Sequence, residues 1–256
     1  MIVILSIFIL IIYILYIFVL IEPFSNNGIY TAIIIEPREH KALELVLTNF
    51  TNNLDDRWNF IIFHGSNNIN YIKNIIQTKL KKHSHRIKLH NLNVPNLTIK
   101  DYNNIFFDKE FYNNIPTETF LVFQTDTFIC KKHKDLIYNF IKYDYTGAPW
   151  IPTHWNNQQY SVGNGGLSLR KKSKMLELLN NCKHNGMNED LFFSNIFASE
   201  LKCNVVISKP SVNDAKNFSI EHIYNDKSFG VHKPWLYIDK KIDHCENLDT
   251  LINLNK

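Results

Sequence analysis

The stretch Tyr30-Thr31-Ala32-Ile33-Ile34-Ile35-Glu36-Pro37-Arg38 decides the fold. Six uncharged residues, dense in isoleucine, run into an acid, a proline and a base. A short continuous apolar run bounded by such a stop reads as a strand buried on both faces. Residues 39–50 follow with apolar side chains at helical spacing (Ala42, Leu45, Val46, Phe50). Residues 58–63 form a second apolar strand, closed by His64-Gly65-Ser66. A helix over 69–80, a strand over 86–92, a strand over 119–123 and a helix over 134–141 extend the alternation. Strands alternating with helices predict an α/β domain with a mixed, mainly parallel sheet and helices on both faces. Such sheets bind ligands beyond the carboxyl ends of their strands. Three polar turns sit at those ends: Glu36-Pro37-Arg38, His64-Gly65-Ser66 and Gln124-Thr125-Asp126. No glycine fingerprint follows the first strand, which argues against dinucleotide binding.

Outward from this core, the N-terminus is a separate unit. Residues 2–21 carry no charge, and only Ser6, Tyr13 and Tyr16 interrupt the apolar run. Twenty helical residues span about 30 Å, the thickness of a bilayer's hydrocarbon core. No Lys or Arg precedes the run and Glu22-Pro23 follows it. An uncleaved transmembrane anchor is therefore expected, with a cleaved signal peptide as the alternative. The expected organisation is an anchor over 1–22, a short stem over 23–29, one catalytic domain over 30–240 and a tail over 241–256. The formal charge of +4 suits anionic ligands but is too mild to argue for nucleic acid. The basic stretch from Lys79 to Lys88 has no interleaved aromatics for base stacking, so it reads as a solvated helix end. Cys130, Cys182, Cys203 and Cys245 are too scattered for a zinc site. Buried free thiols are expected, with one or two disulfides as the alternative in an oxidising compartment. Asn49, Asn96 and Asn217 head glycosylation sequons.

Four further segments carry candidate chemistry. Asp126, directly after an apolar strand, is either a carboxylate ligand for Mg²⁺ or Mn²⁺ or the cap of the next turn. Gly163-Asn164-Gly165-Gly166-Leu167-Ser168-Leu169-Arg170 combines glycines, which let backbone lie against a ligand, with an alternating strand. Its Asn164 could bond sugar hydroxyls, with Gly165 and Gly166 beside it. Glu189-Asp190 opens a helical segment, where acids oppose the helix dipole or serve as a catalytic base. His232-Lys233-Pro234-Trp235 offers an imidazole for a metal and an ammonium for anionic charge, or an ordinary surface pair before a turn. Trp150 and Trp155 either stack on sugar rings or pack internally.

Taken in order, several segments resemble an uncharacterised, glycosyltransferase-like domain-of-unknown-function family. They are Ile35-Glu36-Pro37-Arg38, Phe123-Gln124-Thr125-Asp126, the run from Tyr143 to Trp150, the glycine stretch, Glu189-Asp190-Leu191-Phe192-Phe193 and the run from Phe229 to Trp235. The likeness covers roughly residues 30–237. That family is in turn similar to GT-A enzymes, Rossmann-type folds that grip a metal-bound nucleotide sugar with an Asp-x-Asp motif. On that resemblance Gln124-Thr125-Asp126 takes the Asp-x-Asp place with its first Asp replaced by Gln. Asp126 and His232 then hold Mn²⁺ or Mg²⁺. Arg38, Gln124, Thr125, Lys233, Asn164, Gly165 and Gly166 bind the nucleotide-diphosphate sugar. Asp190 acts as general base with Glu189 as its partner or substitute, while Asp144, Tyr145 and residues 147–150 shape the acceptor side.

The implied function is a type II membrane glycosyltransferase with its catalytic domain in an endoplasmic reticulum or Golgi-like lumen. It moves a sugar to a hydroxyl of a glycan or glycoprotein and has no nucleic-acid partner. The alternative is a catalytically degenerate module that binds nucleotide or glycan without turnover, which Gln124 favours.

Overall fold

A computed structural model describes residues 28–152, 161–237 and 242–256. The proposed anchor, residues 2–21, and Trp155 lie outside the described residues. Among the described residues no helix is long and apolar enough to cross a membrane.

The apolar runs become strands β1 (Tyr30–Glu36), β2 (Trp58–His64), β3 (Ile87–Asn91) and β4 (Thr119–Phe123). They pair in parallel in the order β3-β2-β1-β4. Two later strands close that edge: β9 (Leu167–Lys171) runs antiparallel to β4, and β6 (Tyr145–Gly147) antiparallel to β9. The sheet is therefore mixed and mainly parallel, as expected.

Helices cover both faces. On β1, Ala32 and Ile34 join one core cluster, with Val46 and Phe50 of α1 (Leu43–Asn53) and Ile72 and Ile75 of α2 (Ile69–Thr78). Ile33 and Ile35 point the other way, towards Phe106 of α3 (Ile99–Phe107), Met175 of α4 (Lys172–Asn181) and Phe192 of α5 (Glu189–Phe193). This is the two-residue alternation of a strand with an apolar layer on each side. The helix expected over 134–141 is instead a 3₁₀ segment, Lys131–Asn139, with non-helical backbone at His133. Arg86 also departs from the solvated reading of the basic stretch. It is buried, and its guanidinium donates to the carbonyls of Thr51, Leu54, Asp55 and Trp58.

A small second sheet positions the site. It joins β10 (Ser219–Ile220), β11 (Gly230–His232) and β5 (Thr127–Ile129) in the order β10-β11-β5. β11 runs antiparallel to β5, with His232 opposite Thr127. A separate pair joins β7 (Pro149–Trp150) and β8 (Ser161–Val162). A short helix α6 (Val212–Ala215) precedes β10.

Residues 242–256, set apart as a tail by sequence, contain helix α7 (Leu248–Asn255), whose Leu248 and Leu251 belong to the first core cluster. The four cysteines are not free thiols. Cys130 pairs with Cys245, and Cys182 with Cys203. Folding brings the partners' Cα atoms to 4.4 and 5.1 Å, within bridging reach. The Asn49 sequon is unusable, because that amide is buried and clamps both the N–H and the C=O of Ile129.

The Cys130–Cys245 bridge closes a loop of sequence separation 115. Replacing both cysteines by serine should lower unfolding free energy by about 2–5 kcal/mol, measured by urea denaturation. An unchanged midpoint would mean that the bridge does not constrain the unfolded chain.

Candidate functional site

The strand order turns around between β1 and β4: β2 and β3 extend to one side, β9 and β6 to the other. The crevice at such a switch point, outside the carboxyl ends, is where open α/β sheets bind ligands. A cleft of about 430 Å³ opens there. It is lined by Glu36, Pro37 and Arg38 after β1, Gln124, Thr125 and Asp126 after β4, and Asn164, Gly165 and Gly166 before β9. Glu189 and Asp190 at the start of α5, and His232 and Lys233 at the end of β11, complete the wall. The residues expected from sequence to hold donor and metal or to act as base therefore line one cavity. His64-Gly65-Ser66, at the end of β2, does not line it.

The β5–β11 register brings Asp126 and His232 together. Lys233 N–H donates to the Asp126 carbonyl at 3.0 Å, and His232 Nε2 lies 3.4 Å from Asp126 Oδ2. Burial pushes the Asp126 carboxyl up, but His232 and Lys233 outweigh it and hold the group below its ordinary value. Burial likewise disfavours the His232 cation, yet the Asp126 and Glu221 carboxylates raise the imidazole to about 9. Lys233 takes a left-handed backbone (φ 47°), an uncommon state for a lysine that re-aims the chain at the cleft wall. Asn255 Nδ2 of α7 donates to the Thr125 carbonyl, so the C-terminal segment braces this turn.

The glycines serve the protein's own side chains as well as any ligand. A Cβ on Gly166 would collide with the His232 ring. A Cβ on Gly165 would stand 2.5 Å from Glu189 Oε1 and 2.7 Å from Asp190 Cβ. Neither glycine has positive φ, so steric room rather than backbone freedom demands them. Asn164 closes the turn by accepting from Gly166 N–H at 3.0 Å.

The acidic pair divides its work. On β9, Leu167 and Leu169 face the first core cluster, while Ser168 and Arg170 face the other side. Arg170 is fully buried, within 4.9 Å of the Phe106 ring centre and 5.1 Å of Tyr145. Glu189 neutralises it through two contacts, Nη1–Oε2 at 2.5 Å and Nη2–Oε1 at 3.0 Å. The expectation that Glu189 could substitute as base is therefore corrected: both its oxygens are committed to Arg170. Among the described residues Asp190 forms no ion pair; its Oδ2 accepts from Gly165 N–H at 3.3 Å and its Oδ1 from Leu191 N–H at 2.9 Å. Burial and the Glu189 charge push its carboxyl up to about 7.

The acceptor-side expectations are corrected too. Asp144 accepts hydrogen bonds from Ser208, Tyr145 is buried with its hydroxyl on the Gly163 carbonyl, and Trp150 is buried against Gly163. None of the three lines the cleft.

Sequence reasoning missed Tyr102, Asn103 and Glu221. Tyr102 OH receives the Gln124 amide at 2.8 Å, and Asn103 Oδ1 accepts from Glu189 N–H at 2.9 Å. Their signal was the capping box Thr98-Ile99-Lys100-Asp101, which starts α3 and aims it at the cleft. Glu221 carried no motif.

For a divalent cation, two donors fit. Asp126 Oδ1 is buried without a hydrogen-bond partner, and His232 Nε2, likewise without one, lies beside Oδ2 and becomes a donor to a cation once its proton is displaced. Among the described residues no group of three His, Cys, Asp or Glu side chains forms a metal cage. A hard cation held by these two donors would need its remaining ligands from bound oxygen donors or water.

The geometry defines a Rossmann-like α/β protein of glycosyltransferase-like fold. Glycosyltransferase GlyE of Streptococcus pneumoniae TIGR4 superposes with a TM-score of 0.52 at 11% identity, over 90% of this chain and 60% of that one. The mannosyltransferase PcManGT of Pyrobaculum calidifontis, in complex with GDP-Man and Mn²⁺, gives 0.49 at 13% identity, over 75% and 57%. This chain thus spans well under two thirds of the length of either. HddC from Yersinia pseudotuberculosis gives 0.42 at 14% identity, over 70% and 88%. No curated protein matches the sequence. The chain belongs to the DUF5672 family, described as a protein of unknown function, whose model matches residues 86–232.

Removing Glu189 strands the Arg170 cation in the interior. Glu189→Ala should cost about 3–5 kcal/mol of stability, read by urea unfolding. A variant that unfolds like the parent but loses all turnover would return Glu189 to the chemistry.

Proposed function

We propose that this chain is a glycosyltransferase that moves a sugar from a nucleotide-diphosphate donor to a hydroxyl of a glycan or glycoprotein. The observation that carries this reading is the convergence of Asp126, Asp190, His232 and Lys233 on one cleft at the sheet's switch point. Arg38, Gln124, Thr125, Asn164, Gly165 and Gly166 complete the donor site. Asp126 and His232 would hold Mn²⁺ or Mg²⁺. Such an ion would supply positive charge against the negative charge of the departing diphosphate.

The residues have separable roles. Lys233 brings an ammonium to the same wall, where it stabilises negative charge developing on the leaving diphosphate. Asp190 accepts the proton of the attacking hydroxyl. Its raised pKa makes it a stronger base than an exposed aspartate while leaving it ionised above neutrality. Arg170 and Glu189 neutralise each other beneath it and hold α5 in place.

Residues 1–22 are proposed as the membrane anchor, 23–29 as a stem and 30–240 as the transferase domain. The lumenal location is supported by two disulfides, which persist in oxidising compartments. A second reading, a nucleotide- or glycan-binding module without turnover, is favoured by Gln124. It supplies a neutral amide where a second carboxylate would strengthen metal binding, and that amide is engaged by Tyr102.

Transfer and donor-hydrolysis assays across nucleotide sugars with Mn²⁺ separate the two. Asp126→Ala should abolish turnover and His232→Ala reduce it; equal rates in both variants and the parent would remove the site assignment. Tight nucleotide binding with no turnover for any donor would establish the binding module. Asp190→Asn should lower kcat about 10²–10⁴-fold. Because the base acts when ionised, parental activity should rise with pH through about 7. A rate flat between pH 5.5 and 8 would exclude Asp190 as the base.

A further inference from the structure

Glu221 lies one residue past β10 and is 2% exposed, deep in the wall behind His232. Its Oε1 stands 3.2 Å from His232 Nδ1 and 3.9 Å from Lys233 Nζ. Its Oε2 is 3.4 Å from His222 Nδ1. The Glu221 carboxyl sits on the Nδ1 edge of the His232 imidazole, and Asp126 faces the Nε2 edge at 3.4 Å. The Gly166 backbone packs against the ring where any Cβ would collide.

We infer that Glu221 is a positioning residue, turning His232 so that Nδ1–H faces Glu221 and Nε2 faces the cation position beside Asp126. This rests on the metal reading of Asp126 and His232 proposed above. An imidazole ligates a metal through one lone pair, and the partner of the other nitrogen sets which one that is. Of the groups facing this ring, Asp126 lies on the Nε2 side and Glu221 on the Nδ1 side. Lys233 and His222 reach the same Glu221 carboxyl, which leaves Nε2 of His232 directed at Asp126. The same carboxylate tethers Lys233 loosely, which places both cationic groups of the pair around one anchor.

The test uses the full chain and Mn²⁺ alone, with binding read by electron paramagnetic resonance. Glu221→Ala should weaken Mn²⁺ binding about 10–100-fold, the usual effect of losing an outer-shell partner. It should also remove the nitrogen modulation that a coordinated imidazole imprints on the Mn²⁺ spin-echo signal. Glu221→Gln keeps an acceptor oxygen and should recover both in large part. Should Glu221→Ala fail to fold, Glu221→Met, similar in volume and without an acceptor, takes its place. If Asp126→Ala weakens Mn²⁺ binding while Glu221→Ala keeps parental affinity and nitrogen modulation, the positioning role is overturned and the metal reading survives. If the parent and Asp126→Ala bind Mn²⁺ equally, the metal reading falls and this role falls with it.

Discussion

The ion pair between Arg170 and Glu189 is the constraint on which the site depends. A guanidinium with no solvent exposure, set on the side of β9 that faces an apolar layer, is tolerable only when a carboxylate meets it with good geometry. That requirement draws the first turn of α5 against β9 and brings Asp190 to the lip of the cleft. Phe106 and Tyr145 line the guanidinium, and Asn103 accepts the Glu189 N–H. The pairing also engages both Glu189 oxygens, which supports the proposal of Asp190 as the base. Glu189 is engaged by Arg170, while Asp190 keeps a raised pKa and forms no ion pair among the described residues.

The glycine stretch follows from the same economy of space. Gly165 admits the acidic pair and Gly166 admits the imidazole, so two walls that approach from different directions can meet across one strand entry. A side chain at either position would push the wall away by more than a hydrogen-bond length can absorb. The composition that suggested a ligand surface is thus explained first by the protein packing its own polar groups closely.

His232 meets Asp126 through strand register. The antiparallel pairing of β5 and β11 sets His232 opposite Thr127, one residue beyond Asp126. Asn255 and the Cys130–Cys245 bridge bind the C-terminal segment to the same neighbourhood. A segment that looked like a tail by composition thereby supports the turn that carries Asp126.

Local patterns in the chain were enough to identify the parallel strands, the turns at their carboxyl ends and many of the residues that line the cleft. Apolar runs and polar stops are properties of neighbouring residues, and burial on both faces of a sheet leaves a continuous apolar signature. The partners of those residues were not legible. Glu221 follows two unremarkable residues of a two-residue strand, the pairing of Glu189 with Arg170 spans two elements, and the disulfides join positions up to 115 apart. Such contacts are made by strand register and layer packing, which no local spacing encodes. Sequence alone thus determined which residue types stand at the ends of the strands; tertiary structure decided which acid is ion-paired and which is not, because only packing reveals whose charge is already neutralised.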